Sequence, residues 1–166
     1  MSKTKSPQET LWELIKDIRF GMLTHRHSGG MLHAHPLTTL NKSIDEVATL
    51  YFFVSKKTEL GQRIQQDGNV NVCYAKPEND TYISVSGTAR VSEDMATKER
   101  LFNALTKAWF PLGASDPDLE LVEVQIQHAE YWDVKESKVT QLFKMAKSAI
   151  TGNQPHIGDH KELNFN

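Results

Sequence analysis

The sequence predicts a mainly β protein, an antiparallel barrel with helices at its periphery. Three observations carry this. About seven short stretches rich in β-branched and aromatic residues follow one another along the chain. Most are joined by hairpins or short turns rather than by crossover helices, which favours antiparallel pairing. Helical periodicity is confined to the start, the middle and the end of the chain.

Ser6-Pro7-Gln8-Glu9 has the composition of a helix start, with serine as cap, proline in the first turn and glutamate closing a capping box. Leu11, Leu14, Ile15 and Ile18 follow at helical spacing, predicting a helix over 7–19. Two extended runs, 20–27 and 31–40, flank Ser28-Gly29-Gly30 and predict a β-hairpin. Further strands are predicted over 48–55, 69–75 and 81–91. A short helix over 59–66 has Thr58 as its candidate cap. Ser92-Glu93-Asp94 opens a middle helix whose apolar stripe is Leu101, Leu105 and Ala108, and which runs into Trp109-Phe110-Pro111. Strands are then predicted over 119–127 and 129–134. A last helix over 138–150 carries Val139, Leu142, Phe143, Ala146 and Ile150 on one stripe. Residues 1–152 form the expected domain, and 153–166, without periodicity, the expected flexible tail.

Composition narrows the function classes. The 166 residues are 39% apolar and 24% charged, with a net charge of −2. That size supports one core, and the charge lacks the basic surplus of a general nucleic-acid binder. No run approaches the roughly 20 apolar residues of a membrane span, and the single cysteine, Cys73, offers no internal disulfide. A cytoplasmic protein with neither nucleic-acid nor membrane partners is expected. Cys73 itself is expected as a small buried strand residue, since no cation adjoins it to activate the thiol.

Four of the seven histidines lie in the predicted hairpin. Alternation sets His25 and His27 on one face of the first strand and His33 and His35 on one face of the second. A metal site needs three or four converging ligands. Without a His-Glu-x-x-His or Cys-x-x-Cys pattern, half-exposed strand residues near a polar tip are the favoured reading over metal ligands. Ser55-Lys56-Lys57-Thr58 ends the next strand in hydroxyls and two cations before a helix. That pattern suits a phosphate, and equally suits a solvated turn with a helix cap. Glu120 and Glu123, at odd separation on one strand, point to opposite faces and make no acid–base pair.

Taken together in order, several stretches resemble the general stress proteins of the pyridoxamine 5′-phosphate oxidase-like flavin-binding split barrels. They are Met31 to Thr39, Leu50 to Ser55, Val70 to Ala75, Tyr82 to Ala89, Lys107 to Gly113, Asp116 to Leu121 and Ala129 to Asp133. The segment Ala108-Trp109-Phe110-Pro111 followed by Glu130-Tyr131-Trp132-Asp133 is the most specific. The resemblance implies a split β-barrel that pairs into a homodimer, with FMN at the subunit interface, or FAD as in some members. It implies flavin contacts from His35, Pro36, Leu37, Thr38 and Thr39 on one strand and from Phe53, Val54 and Ser55 on the next. The phosphate end would meet Ser55, Lys56, Lys57 and Thr58. The partner subunit would add Tyr82 and Ser84, and the Trp109 region would close over the site.

Two positions depart from the pattern. His35 stands where arginine is expected, and Leu60 where lysine is frequent. Lysines at 56 and 57 lack arginine's bidentate fork. Because a flavin carries its own redox chemistry, the resemblance is compatible with a flavin-dependent oxidoreductase and with a non-catalytic sensor of flavin or another phosphorylated ligand. Pyridoxamine 5′-phosphate oxidase itself is disfavoured, since the Arg-rich terminal segment usual there is replaced by Asp159 to Asn166.

Overall fold

A computed structural model of the chain describes residues 3–134 and 138–165. Seven strands form one antiparallel sheet that curls around the core: β1 (Phe20–Arg26), β2 (Leu32–Thr38), β3 (Thr49–Ser55), β4 (Asn69–Lys76), β5 (Thr81–Ser92), β6 (Leu119–Asp133) and β7 (Asp159–Asn164). Their order is β2-β1-β4-β5-β6-β3, with β7 also on β6. The helices are α1 (Pro7–Ile15), α2 (Glu59–Arg63), α3 (Met95–Leu101), α4 (Ala104–Trp109) and α5 (Lys138–Thr151). The expected antiparallel split barrel is therefore observed.

Inward positions of β3, β4, β5 and β6 form a hydrocarbon core: Leu50, Phe52, Val72, Val85, Val122 and Val124 are all fully buried. α1 closes this core with Leu11 and Ile15. Its start is the predicted capping box, with Glu9 N–H donating to Ser6 Oγ at 3.1 Å and Ser6 N–H to Glu9 Oε2 at 2.8 Å. The helix stops at Ile15 rather than 19, because Ile18 N–H turns back to the Ile15 carbonyl in a tighter turn.

The count of seven strands is as expected, but its make-up differs. The predicted 119–127 and 129–134 strands are one 15-residue strand. The break between them is a β-bulge: Gly87 pairs with Ile126 and Ser86 with His128, which leaves Gln127 as the extra residue. Gly87 is required there, since a Cβ would lie 2.2 Å from the Gln125 carbonyl oxygen.

The seventh strand comes from the stretch expected to be a flexible tail. β7 pairs with β6 from His128↔Asn164 to Asp133↔Asp159, taking over the edge of β6 where β3 leaves it. Five of its six side chains are exposed. Main-chain hydrogen bonds hold it, so side-chain periodicity gave no sign of it.

Three further expectations are corrected. The middle helix is two, because Phe102 is extended and Asn103 caps α4 by accepting from Leu105 N–H at 2.9 Å and Thr106 N–H at 3.0 Å. Cys73 is exposed: Val70, Val72 and Tyr74 take the inward phase of β4. The apolar stripe of α5 faces outward, with Val139, Leu142, Phe143 and Ile150 exposed. Among the described residues, no helix is long and apolar enough to cross a membrane.

Candidate functional site

The histidine hairpin and the strand-to-helix turn at 55–59 meet at one end of the barrel. The hairpin tip is closed by His27 N–H to the Met31 carbonyl at 2.7 Å and Gly30 N–H to the His27 carbonyl at 2.8 Å, with Gly30 at φ +87°. β1 and β2 pair in a register that sets His25 against His33 and Leu23 against His35. The inward row of β1 is thus Gly21, Leu23 and His25, and that of β2 is Leu37, His35 and His33.

The histidines share faces as alternation predicted, yet they are not simple half-exposed strand residues. His25 is 1% exposed, its Nε2 lies 3.0 Å from His35 Nε2, and the two rings stack. Burial, then the nearby His35, pushes the His25 pKa down, so its imidazole is held neutral. Its Nδ1 is buried without a partner.

Glu59, the first residue of α2, reaches back to the hairpin. Its carboxylate lies 3.1 Å from His27 Nε2 and 3.8 Å from His33 Nδ1, and it accepts from Ser28 N–H at 3.1 Å. Desolvation pushes the Glu59 pKa up, but the Ser28 N–H and the neighbouring histidines outweigh it and hold the carboxyl below its ordinary value.

The predicted phosphate turn is ordered by its own bonds. Ser55 donates to Asp118, at 2.8 and 2.7 Å to the two carboxylate oxygens, and accepts from Lys57 N–H at 3.2 Å. Lys56 N–H donates to the Asp118 carbonyl at 2.9 Å. Thr58 donates to the Ser55 carbonyl at 2.7 Å and caps α2 by accepting from Gly61 N–H at 3.1 Å. The hydroxyls and several amides of this turn are thereby committed. What it offers a phosphate is the exposed side chains of Lys56 and Lys57, which fit as point charges.

The remaining predicted contacts scatter. Thr39 bonds to the Tyr74 hydroxyl at 2.6 Å. Pro36 and Thr38 point outward from β2, while Leu37 packs against the core. Phe53 is half-buried near Phe102, and Val54 is buried. Tyr82 and Ser84 lie on the outer face of the sheet, where Ser84 accepts from Asn71 at 2.8 Å. Trp109 is 82% exposed. Two shallow grooves mark the surface, one along Ile64, Gly68 and Thr88 to Val91, the other along Thr24 to Arg26, Asn69 to Asn71 and Gln127. Neither is lined by a predicted cofactor residue.

Sequence reasoning missed Glu59 and Asp118. Glu59 carries only the ordinary signature of an acid in a helix's first turn. Asp118 meets Ser55 because β3 pairs with β6 in the register Ser55↔Leu119, which no local pattern announces.

The curled sheet with its open, polar end is a split barrel, and comparison with known proteins places it more narrowly. Residues 6–156 match the family model described as pyridoxamine 5′-phosphate oxidase like. The chain belongs to that family. It is similar to the general stress FMN/FAD-binding protein of Xanthomonas citri, with 32% identity, a TM-score of 0.66, and coverage of 81% of this chain and 93% of that one. The General Stress Protein 26 of Bacillus anthracis shares the fold at 22% identity and a TM-score of 0.65, over 75% of this chain and 92% of that one. Protein bli-3 of Neurospora crassa is 22% identical over 153 residues, 87% of this chain and 73% of the relative.

Proposed function

We propose that the chain is a flavin-binding stress protein that holds FMN, or FAD, in a homodimer and acts as a flavin-dependent oxidoreductase. The observation that carries the reading is the exposed Lys56–Lys57 pair at the polar mouth of the barrel, in a chain 32% identical to an FMN/FAD-binding relative. The flavin phosphate would lie against these lysines, and the outward positions of β2, Pro36 and Thr38, with Phe53 on the outward phase of β3, would line the ring. The protein's part is to bind and orient; the flavin, when bound, supplies the redox chemistry.

The dimer reading is supported by the outer face of the sheet. Phe20, Met22, Tyr82 and Trp132 are each 39–48% exposed there, and Tyr82 pairs directly with Trp132. Apolar side chains clustered on one face mark a protein–protein contact, and a second copy would bring Tyr82 and Ser84 to a site too open to cover a flavin alone.

Fluorescence titration with FMN tests the site. Lys56→Ala combined with Lys57→Ala is expected to weaken binding at least tenfold, and unchanged affinity would remove the lysines from it. A second reading, in which the flavin is held but not turned over, is favoured by the commitment of His35, Thr39 and Ser55 to internal hydrogen bonds. Bound flavin that NADH and NADPH both fail to reduce would select it.

A further inference from the structure

We propose that His27, His33 and Glu59 form a binding site for one divalent transition-metal ion of the zinc class. The three offer ligand atoms that all lie within 4.8 Å of one another. Ligands at about 2.0–2.2 Å from a tetrahedral zinc ion sit about 3.4 Å apart. His27 Nε2 and Glu59 Oε1 already meet that spacing at 3.1 Å, and His33 Nδ1 is 3.8 Å from Glu59 Oε2. Closing the set needs only small rotations of half-exposed side chains.

The ligand chemistry favours such an ion. Two imidazoles and a carboxylate suit zinc and its neighbours, whereas calcium and magnesium need shells of six or more oxygens. The histidine rings lie 4.4 Å apart. A single dication would lie between the two rings and the Glu59 carboxylate.

The surroundings orient the ligands. Ser28 N–H holds Glu59 Oε1 at 3.1 Å, the kind of outer contact that fixes a metal-binding carboxylate. Gly29 N–H donates to His27 Nδ1 at 3.1 Å, so the neutral His27 ring carries its proton on Nε2, facing Glu59. An ion on Nε2 takes the place of that proton, and the ring then carries hydrogen on Nδ1. Ser28 Oγ, 3.4 Å away, can accept it, while Gly29 N–H is released to water at an exposed tip. Three protein ligands leave the fourth position open to water or a small anion. The hairpin supplies two of them and α2 the third, so an ion here would tie the tip to the helix.

Isothermal titration of the purified, untagged full chain with ZnCl2, after EDTA treatment and dialysis at pH 7.5, tests the proposal. One ion per chain is expected, with a dissociation constant of micromolar or below, and no saturable binding of MgCl2. His33→Ala and the near-isosteric Glu59→Gln are each expected to weaken zinc binding at least tenfold with circular dichroism unchanged. Cys73→Ser and His156→Ala, neither of them part of the cluster, should leave it intact. Absence of saturable zinc binding overturns the proposal, as does zinc binding that neither His33→Ala nor Glu59→Gln weakens. Both are read without added flavin, so they stand apart from the flavin reading.

Discussion

Along β3 and β6 the inward positions are hydrocarbon apart from Glu120 at one end, with Leu50, Phe52, Val122 and Val124 without solvent exposure. Along β1 and β2 the same inward phase passes through Leu23 and Leu37 and then ends in His25, His33 and His35, with Glu59 reaching in from α2. Strand geometry is the same in both regions; the neighbours differ. β6 is paired on both edges, by β5 on one and by β3 and β7 in turn on the other. β2 and β3 are the two ends of the sheet path, bonded to β1 and to β6 alone, so edge position does not set the difference. What meets the inward side chains does. In the middle of the barrel they pack on one another and on Leu11 and Ile15 of α1, where every buried apolar atom is rewarded. At the hairpin end they meet one another and Glu59 as polar groups. In this protein the enclosed middle of the barrel supplies stability, and the hairpin end gathers the polar, titratable side chains.

The sharpest way to break that comparison is to truncate one side chain in each region. Phe52→Ala should destabilise the fold by about 3–5 kcal/mol, since it empties a fully enclosed position. His35→Ala should cost about 1–3 kcal/mol, the penalty of leaving His25 Nε2 buried without its partner. Urea denaturation measures both. Equal losses would mean that the histidine end is as structural as the core.

Between the two regions lies Tyr74, buried in the core with its hydroxyl on Thr39 at 2.6 Å. Burial raises the Tyr74 pKa well above its ordinary value, so the phenol stays protonated. Tyr74→Phe should cost about 0.5–1.5 kcal/mol, and because Thr39 is then free, any change in FMN affinity in this variant reports whether Thr39 lies in the site.

The same contrast explains what could be read from the sequence. Elements that announce themselves through side chains were readable: the capping box of α1, the Gly-Gly hairpin, the alternation of β5 and the Thr58 cap of α2. Elements set by the main chain or by distant pairing were not. β7 is held by backbone bonds to β6 with exposed Asp159, His160, Lys161 and Glu162. Cys73 sits on the outward phase although its strand alternates cleanly, because alternation gives the period of a strand and not which face is the core. The α5 stripe has true helical spacing, yet Leu142 and Phe143 are exposed. Periodicity shows that a face exists, not that this chain covers it. Of the candidate site, the histidine faces and the lysine pair were visible, while Glu59 and Asp118 arrive through tertiary structure.

The smallest expected effect concerns Glu120, a charged residue in the hydrocarbon region. Its carboxylate is 4% exposed, with Oε2 buried and unpartnered. Burial pushes its pKa above the ordinary 4.5, and the opposing pull of Lys56 is weaker. The folded state therefore binds the proton more tightly than the unfolded chain does. The stability this contributes is fully present below the ordinary carboxylate pKa and is lost as pH rises through the folded value. Glu120→Gln keeps the shape and cannot ionise. It should melt at nearly the wild-type temperature at pH 4 and above it at pH 7.5, by a few degrees at most. A variant that melts below the wild type at pH 7.5 would mean that Glu120 is stabilised as an anion, by Lys56 and Lys98. The hydrocarbon region would then tolerate a charge as readily as the histidine end does.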